Sequence, residues 1–93
     1  MSMSGPLSAS FDDVATYKVV LYPNPVSDIL HIKVSKLEAG ARARVFNAGG
    51  VEVLSQRLTQ TLQTVVVSKL PPGLYVISIQ NGTQVTREKF IKE

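Results

Sequence analysis

Leu74-Tyr75-Val76-Ile77-Ser78-Ile79-Gln80-Asn81-Gly82-Thr83-Gln84-Val85-Thr86-Arg87-Glu88-Lys89-Phe90-Ile91 is the stretch that decides the fold. Residues 74–80 are rich in β-branched and aromatic side chains, which fit a pleated surface better than a helical turn. Asn81-Gly82 follows, two residues that both accept positive φ, and this is the strongest short hairpin signal in the chain. Residues 83–91 then return as a last strand. Asn81-Gly82-Thr83 also fits the N-glycosylation acceptor pattern, but a hairpin turn explains the Asn-Gly pair by itself.

Working towards the N-terminus, similar β-prone runs recur every dozen residues or so. Leu70-Pro71-Pro72-Gly73 must turn, because Pro72 has no N–H for a ladder. Before it, residues 64–68 form a short continuous apolar strand around Val65-Val66-Val67. Residues 51–58 are separated from residues 41–46 by Asn47-Ala48-Gly49-Gly50, whose adjacent glycines supply the positive φ values of a tight hairpin. Ala41, Ala43 and Val45 share one face of their run, and Arg42, Arg44 and Phe46 share the other, which meets solvent. In residues 29–34 Leu30, Ile32 and Val34 alternate with His31 and Lys33, the pattern of a half-buried strand. The first run, residues 17–22, stops at the rigid corner Pro23-Asn24-Pro25. About seven strands at this spacing predict an all-β, immunoglobulin-like antiparallel β-sandwich. A small barrel would show similar spacing, so closure stays open.

Residues 1–16, rich in Ser, Ala and Asp and carrying Gly5-Pro6, read as a flexible tail or linker, which leaves residues 17–93 as one domain. A chain of 93 residues has room for a single core, and its 44% hydrophobic and 18% charged content is that of a globular protein. Thirteen Val, five Ile and six Thr outweigh six Ala. No cysteine is present, so neither a disulfide framework nor a thiolate metal site holds the domain together. The net charge of +3 is spread over ten Lys and Arg without a run of four, which makes no case for nucleic acid. The opening residues lack the charged and apolar regions of an export signal, and no stretch approaches a transmembrane helix.

Catalysis finds little support. His31, the sole histidine, sits among alternating strand residues and reads as a surface or edge side chain. The acids show no spacing that implies a shared site, and Gly49-Gly50 lies between strands rather than before a helix, unlike a phosphate loop. No cofactor or metal site is expected. The aromatic residues Phe11, Tyr17, Tyr22, Phe46, Tyr75 and Phe90 read mostly as core. Arg42, Arg44, Arg57, Arg87, Lys89 and Lys92 form a basic stripe if their strands are neighbours, with a solvated sheet face as the plainer meaning.

Three motifs and the chain end, taken in order, resemble the type A C-terminal sorting domain of the type IX (Por) secretion system of the Bacteroidetes. Tyr22-Pro23-Asn24-Pro25 with Ser27-Asp28 is similar to the family's opening signature. Val45-Phe46-Asn47-Ala48-Gly49-Gly50 resembles its central hairpin, with Val51 where a basic residue is common. Leu70-Pro71-Pro72-Gly73-Leu74-Tyr75 looks like its turn into the penultimate strand, and Lys89-Phe90-Ile91-Lys92 like its lysine-flanked last strand, here followed by Glu93. The resemblance spans residues 17–93 and makes Tyr22, Pro23, Asn24, Pro25, Gly50, Leu70, Gly73, Tyr75, Lys89, Phe90, Ile91 and Lys92 candidate sorting residues.

The resemblance implies a signal that directs attached N-terminal cargo from the periplasm across the outer membrane. Its implied partners are the outer-membrane translocon, its shuttle proteins, and a sortase. That sortase would cut in the linker as the cargo is joined to surface lipopolysaccharide. Edge strands would also allow a homodimer. An adhesive or ligand-binding module of the same fold is the alternative, with its function in exposed loops. A last strand lying at a sheet edge would offer unpaired backbone to a receptor strand; alternatively, Phe90 and Ile91 complete the core while the lysines guard the edge.

Overall fold

The computed structural model describes residues 17–93, so the tail assigned to residues 1–16 lies outside the described residues. Seven strands follow one another: β1 (Val19–Tyr22), β2 (Ile29–Val34), β3 (Arg42–Asn47), β4 (Glu52–Arg57), β5 (Leu62–Val66), β6 (Gly73–Asn81) and β7 (Gln84–Lys92). They form a three-stranded sheet in the order β1-β2-β5 and a four-stranded sheet in the order β4-β3-β6-β7, with every strand pair antiparallel. The molecule is an immunoglobulin-like sandwich, and the question of barrel closure is answered by two separate sheets.

Alternation builds the core. Leu30, Ile32 and Val34 of β2 are buried with Ala43 and Val45 of β3, Tyr75, Ile77 and Ile79 of β6, and Phe90 of β7. Each large apolar side chain withdrawn from water in this way stabilises the fold by about 1.5–3 kcal/mol. Arg42 and Arg44 point outward from β3, as their alternation predicts.

Several local expectations are corrected. β5 begins two residues earlier than the apolar run, because Leu62 and Gln63 pair with Lys33 and Ile32 of β2. The run is not uniformly buried either: Val65 and Val67 are in the core while Val66 is 61% exposed, since pleating sends neighbours to opposite faces. Of the two glycines after Asn47 only Gly50 has positive φ, +84°. Asn81 pairs with Gln84, so Gly82-Thr83 forms the hairpin loop, and Gly82, at φ +66°, takes the first central position of that turn. Asn81 itself is a buried strand residue. Among the described aromatic residues only Tyr75 and Phe90 are in the core; Tyr17, Tyr22 and Phe46 keep a solvent-facing side.

Two seams close the sandwich. On one side Gln56 Nε2 of β4 donates to the Thr64 carbonyl of β5 at 2.9 Å. On the other, the edges β1 and β7 run in the same direction, as the parallel bridge between Val26 and Lys92 shows. The turns after β1, β3 and β5 and the end of β7 therefore share one pole. Tyr17, residues 35–41, residues 58–61 and the Gly82-Thr83 turn share the other.

Candidate functional site

The pole that gathers the end of β7 also gathers most of the candidate sorting residues. Tyr22-Pro23-Asn24-Pro25 has cis peptide bonds before both prolines. Neither proline has an N–H, so pairing in this turn falls to Val26 and to the Asn24 side chain. The Val26 N–H donates to the Ile91 carbonyl, and the Glu93 N–H donates to the Val26 carbonyl, both at 2.8 Å. Asn24 Oδ1 accepts the Ile91 N–H at 2.9 Å. The opening motif thus holds the last residues of the last strand, and the Val26 side chain enters the core completely.

This arrangement bears directly on the strand-addition idea. β7 is an edge strand, but its final residues are already paired with Asn24 and Val26. Phe90 is fully buried, whereas Ile91 is 43% exposed and so does not complete the core. Lys92, expected to be an edge guard and part of a basic stripe, is instead buried on the inner side, with Nζ donating to the Glu93 carbonyl at 2.7 Å. Lys89 is exposed on the outer face of the four-stranded sheet, opposite Val76.

The turn into β6 is pinned by Tyr75. Its hydroxyl donates to the Pro71 carbonyl at 2.5 Å, and its ring stacks on Phe90 with centroids 5.5 Å apart. Leu70 packs against the core, its N–H donating to the Val67 carbonyl, and Gly73 follows at φ +152°, a conformation that favours glycine. Beside this turn lies the β3–β4 hairpin. Asn47 Oδ1 accepts the N–H groups of Gly49 and Val51 at 2.9 and 3.0 Å, and the Gly50 N–H donates to the Asn47 carbonyl. Tyr22 lies at the same pole on the three-stranded sheet, stacked on His31 with centroids 4.9 Å apart.

Sequence reasoning missed the residues that fasten the opposite pole. The Gln84 side chain pairs with the backbone of Tyr17 in both directions, at 2.9 Å each. Asn81 Oδ1 accepts the Glu38 N–H at 2.7 Å and its Nδ2 donates to the Lys36 carbonyl at 2.6 Å. The Tyr17 hydroxyl donates to the Glu38 carboxylate, and that bond raises the phenol's pKa above its ordinary value, with lesser contributions from desolvation and the carboxylate's charge. Val26 was missed as well; an apolar residue directly after Pro-Asn-Pro was the one signal for it. Among the described residues no cluster of three His, Cys, Asp or Glu side chains could hold a metal ion.

A family model described as a secretion system C-terminal sorting domain matches residues 20–93. Among solved structures, the chain is similar to PorZ, described as an essential bacterial surface component of the type-IX secretion system of Porphyromonas gingivalis. The superposition has a TM-score of 0.69 at 18% identity and covers 92% of this chain but 12% of PorZ, so it shows the fold. No curated protein gives a significant match.

Proposed function

Because the chain belongs to the secretion system C-terminal sorting domain family, we propose that it is the address by which cargo joined ahead of Tyr17 crosses the outer membrane through a type IX translocon. Engagement with secretion machinery follows from the family. The finer reading is that shuttle and translocon proteins read the pole where the opening motif meets the end of β7. On this reading a sortase then cuts within residues 1–16 and the cargo is anchored to surface lipopolysaccharide. Transit through the periplasm precedes these steps.

One observation carries the reading: motifs far apart in sequence meet at one pole, while Tyr17, where cargo would be attached, is fastened at the other. Gln84, which holds Tyr17, and Ile91, which Asn24 holds, both lie on β7. A β-strand advances about 3.3 Å per residue, so the steps between them set the two poles roughly 23 Å apart. A receptor can therefore hold the motif pole without touching the cargo, which suits a tag that must serve unrelated proteins.

The test fuses the chain to a periplasm-targeted fluorescent reporter in a bacterium with a type IX system. Surface and medium fluorescence are compared for the intact chain, for Asn24→Ala, and for a chain lacking residues 89–93, with folding of each purified chain checked by circular dichroism. Export of the intact fusion, lost in a translocon-deficient strain and lost for Asn24→Ala while that chain stays folded, supports the proposal. Export that persists after the deletion, in a folded chain, sinks the proposed reading of the motif pole. Periplasmic retention of the folded intact fusion sinks the sorting assignment for this chain.

A further inference from the structure

The outer face of the four-stranded sheet carries a second surface that the sorting motifs do not absorb. Register places its side chains in rows across β3, β6 and β7: Arg42, Gln80, Val85; then Arg44, Ser78, Arg87; then Phe46, Val76, Lys89. The outward residues of β6 are thus an uncharged floor between two basic walls, Arg42 and Arg44 on one side and Arg87 and Lys89 on the other. Arg57, opposite Arg42 on β4, adds a fifth cation. Glu52 is the acid on this face, and its contact with Arg44, at 3.9 Å between exposed groups, contributes little.

The floor turns apolar towards the motif pole. There Phe46, Leu74 and Val76 form an open pocket of about 390 Å³, with Arg87 on its rim and Asn47, Ala48 and Gly50 at its end. A site of this kind takes an apolar group and orients it by a neighbouring charge. The walls lie two strand spacings apart, roughly 10 Å, a width that admits one extended chain above the floor. Arginine dominates them, and its planar fork matches a carboxylate in a way that a lysine point charge does not. A second copy lacks the complementary charge: the outer face of its three-stranded sheet carries Lys33 and His31 among the exposed apolar residues Val20, Tyr22, Ile29, Leu62 and Val66, with no carboxylate among the described residues of that face to meet these arginines.

We propose that this channel docks an extended acidic segment of a partner protein, with one apolar side chain of the segment seated on Phe46, Leu74 and Val76 and its carboxylates between Arg44 and Arg87. The proposal concerns the surface alone and holds whether or not the sorting reading does. It adds a recognition site beside the motif pole that distinguishes partners by charge.

The probe is a nine-residue synthetic peptide alternating Glu and Thr around a central Phe, titrated into the isotopically labelled chain and followed by NMR. Expected are shifts concentrated at Phe46, Leu74, Val76, Ser78 and Arg87. The paired substitution Arg44→Glu and Arg87→Glu should weaken binding about tenfold or more, since like charges replace complementary ones. Leu74→Ser, at a position 42% exposed, should weaken it about threefold in a chain that stays folded at the temperature of the titration. Raising the salt concentration should weaken it as well. Perturbations confined to other surfaces would overturn the proposal, as would equal binding of a peptide with Lys in place of Glu. Phosphatidylcholine–phosphatidylglycerol vesicles that perturb the same residues when the peptide does not would replace the protein segment with a membrane surface.

Discussion

The two poles of the sandwich solve the same mechanical problem with different chemistry. Each must join the edge strand β1 to the edge strand β7 across residues 67 apart in sequence. At the motif pole the work is done by backbone: Val26 pairs with Ile91 and Glu93, and one amide side chain, Asn24, completes the set. At the linker pole it is done by side chains, with Gln84 standing in for a paired strand residue against Tyr17 and Asn81 holding the loop at Lys36 and Glu38. A backbone clip demands a particular chain shape, hence prolines and glycines; a side-chain clip demands one well-placed amide in an otherwise ordinary strand.

Each clip can be weakened at single residues. The largest effect is expected from Phe90→Ala, which removes a fully buried ring stacked on Tyr75 and should cost about 3–5 kcal/mol, read as a lowered urea midpoint. If the loss is much smaller, the motif pole is not anchored through the core. Asn81→Ala comes next, at about 1–3 kcal/mol, because it strands the Glu38 N–H and the Lys36 carbonyl in a part-buried site. Protection of the Glu38 amide from hydrogen exchange should fall with it.

At the other pole Gly50→Ala should cost about 1–2 kcal/mol from the positive φ alone, since nothing stands near an added Cβ. Asn24→Ala removes one exposed hydrogen bond and should cost about 0.5–1.5 kcal/mol, with faster exchange confined to the Ile91 amide. A loss of export far beyond that small loss of stability would separate recognition from folding.

The gentlest probe is pH. Tyr17 has its pKa raised in the folded chain by the bond to Glu38, so its contribution is intact below the unfolded phenol value of 10.0. It is lost as pH rises through the higher folded value. Ultraviolet titration of the native chain minus that of Tyr17→Phe should show a phenol ionising above 10.0. A difference component at or below that value would mean that Glu38 does not hold the hydroxyl in solution.

The same contrast explains what was legible in the sequence. The strand pattern of residues 29–34 reads directly into β2, because period-two alternation is both cause and signature of a half-buried strand. The turns at Pro23-Asn24-Pro25, Gly50 and Gly73 are legible for the same reason: their residue types are demanded by local backbone shape. Asn81 and Gln84 were opaque, since a hairpin accounts for Asn81-Gly82 locally and nothing local reports that the amide is buried against a loop 45 residues away. Lys92 was read as a surface charge on residue type, and the inner-side parity that β7 imposes by register with β6 overrode it. Which pole each motif occupies could not be read at all, because it depends on β1 running alongside β7.

That parallel course has a consequence for pulling. With cargo leaving from Tyr17 at one pole and the end of β7 held at the other, tension runs along the strands rather than across them. The bonds joining β1 to β2, and those that tie Asn24 and Val26 to the end of β7, are then loaded together in shear and must give way as a group, whereas a hairpin pulled open from one end yields one bond at a time. Resistance to force is set by the rate of unfolding rather than by equilibrium stability. A small sandwich with its ends at opposite poles therefore resists a pull applied between them.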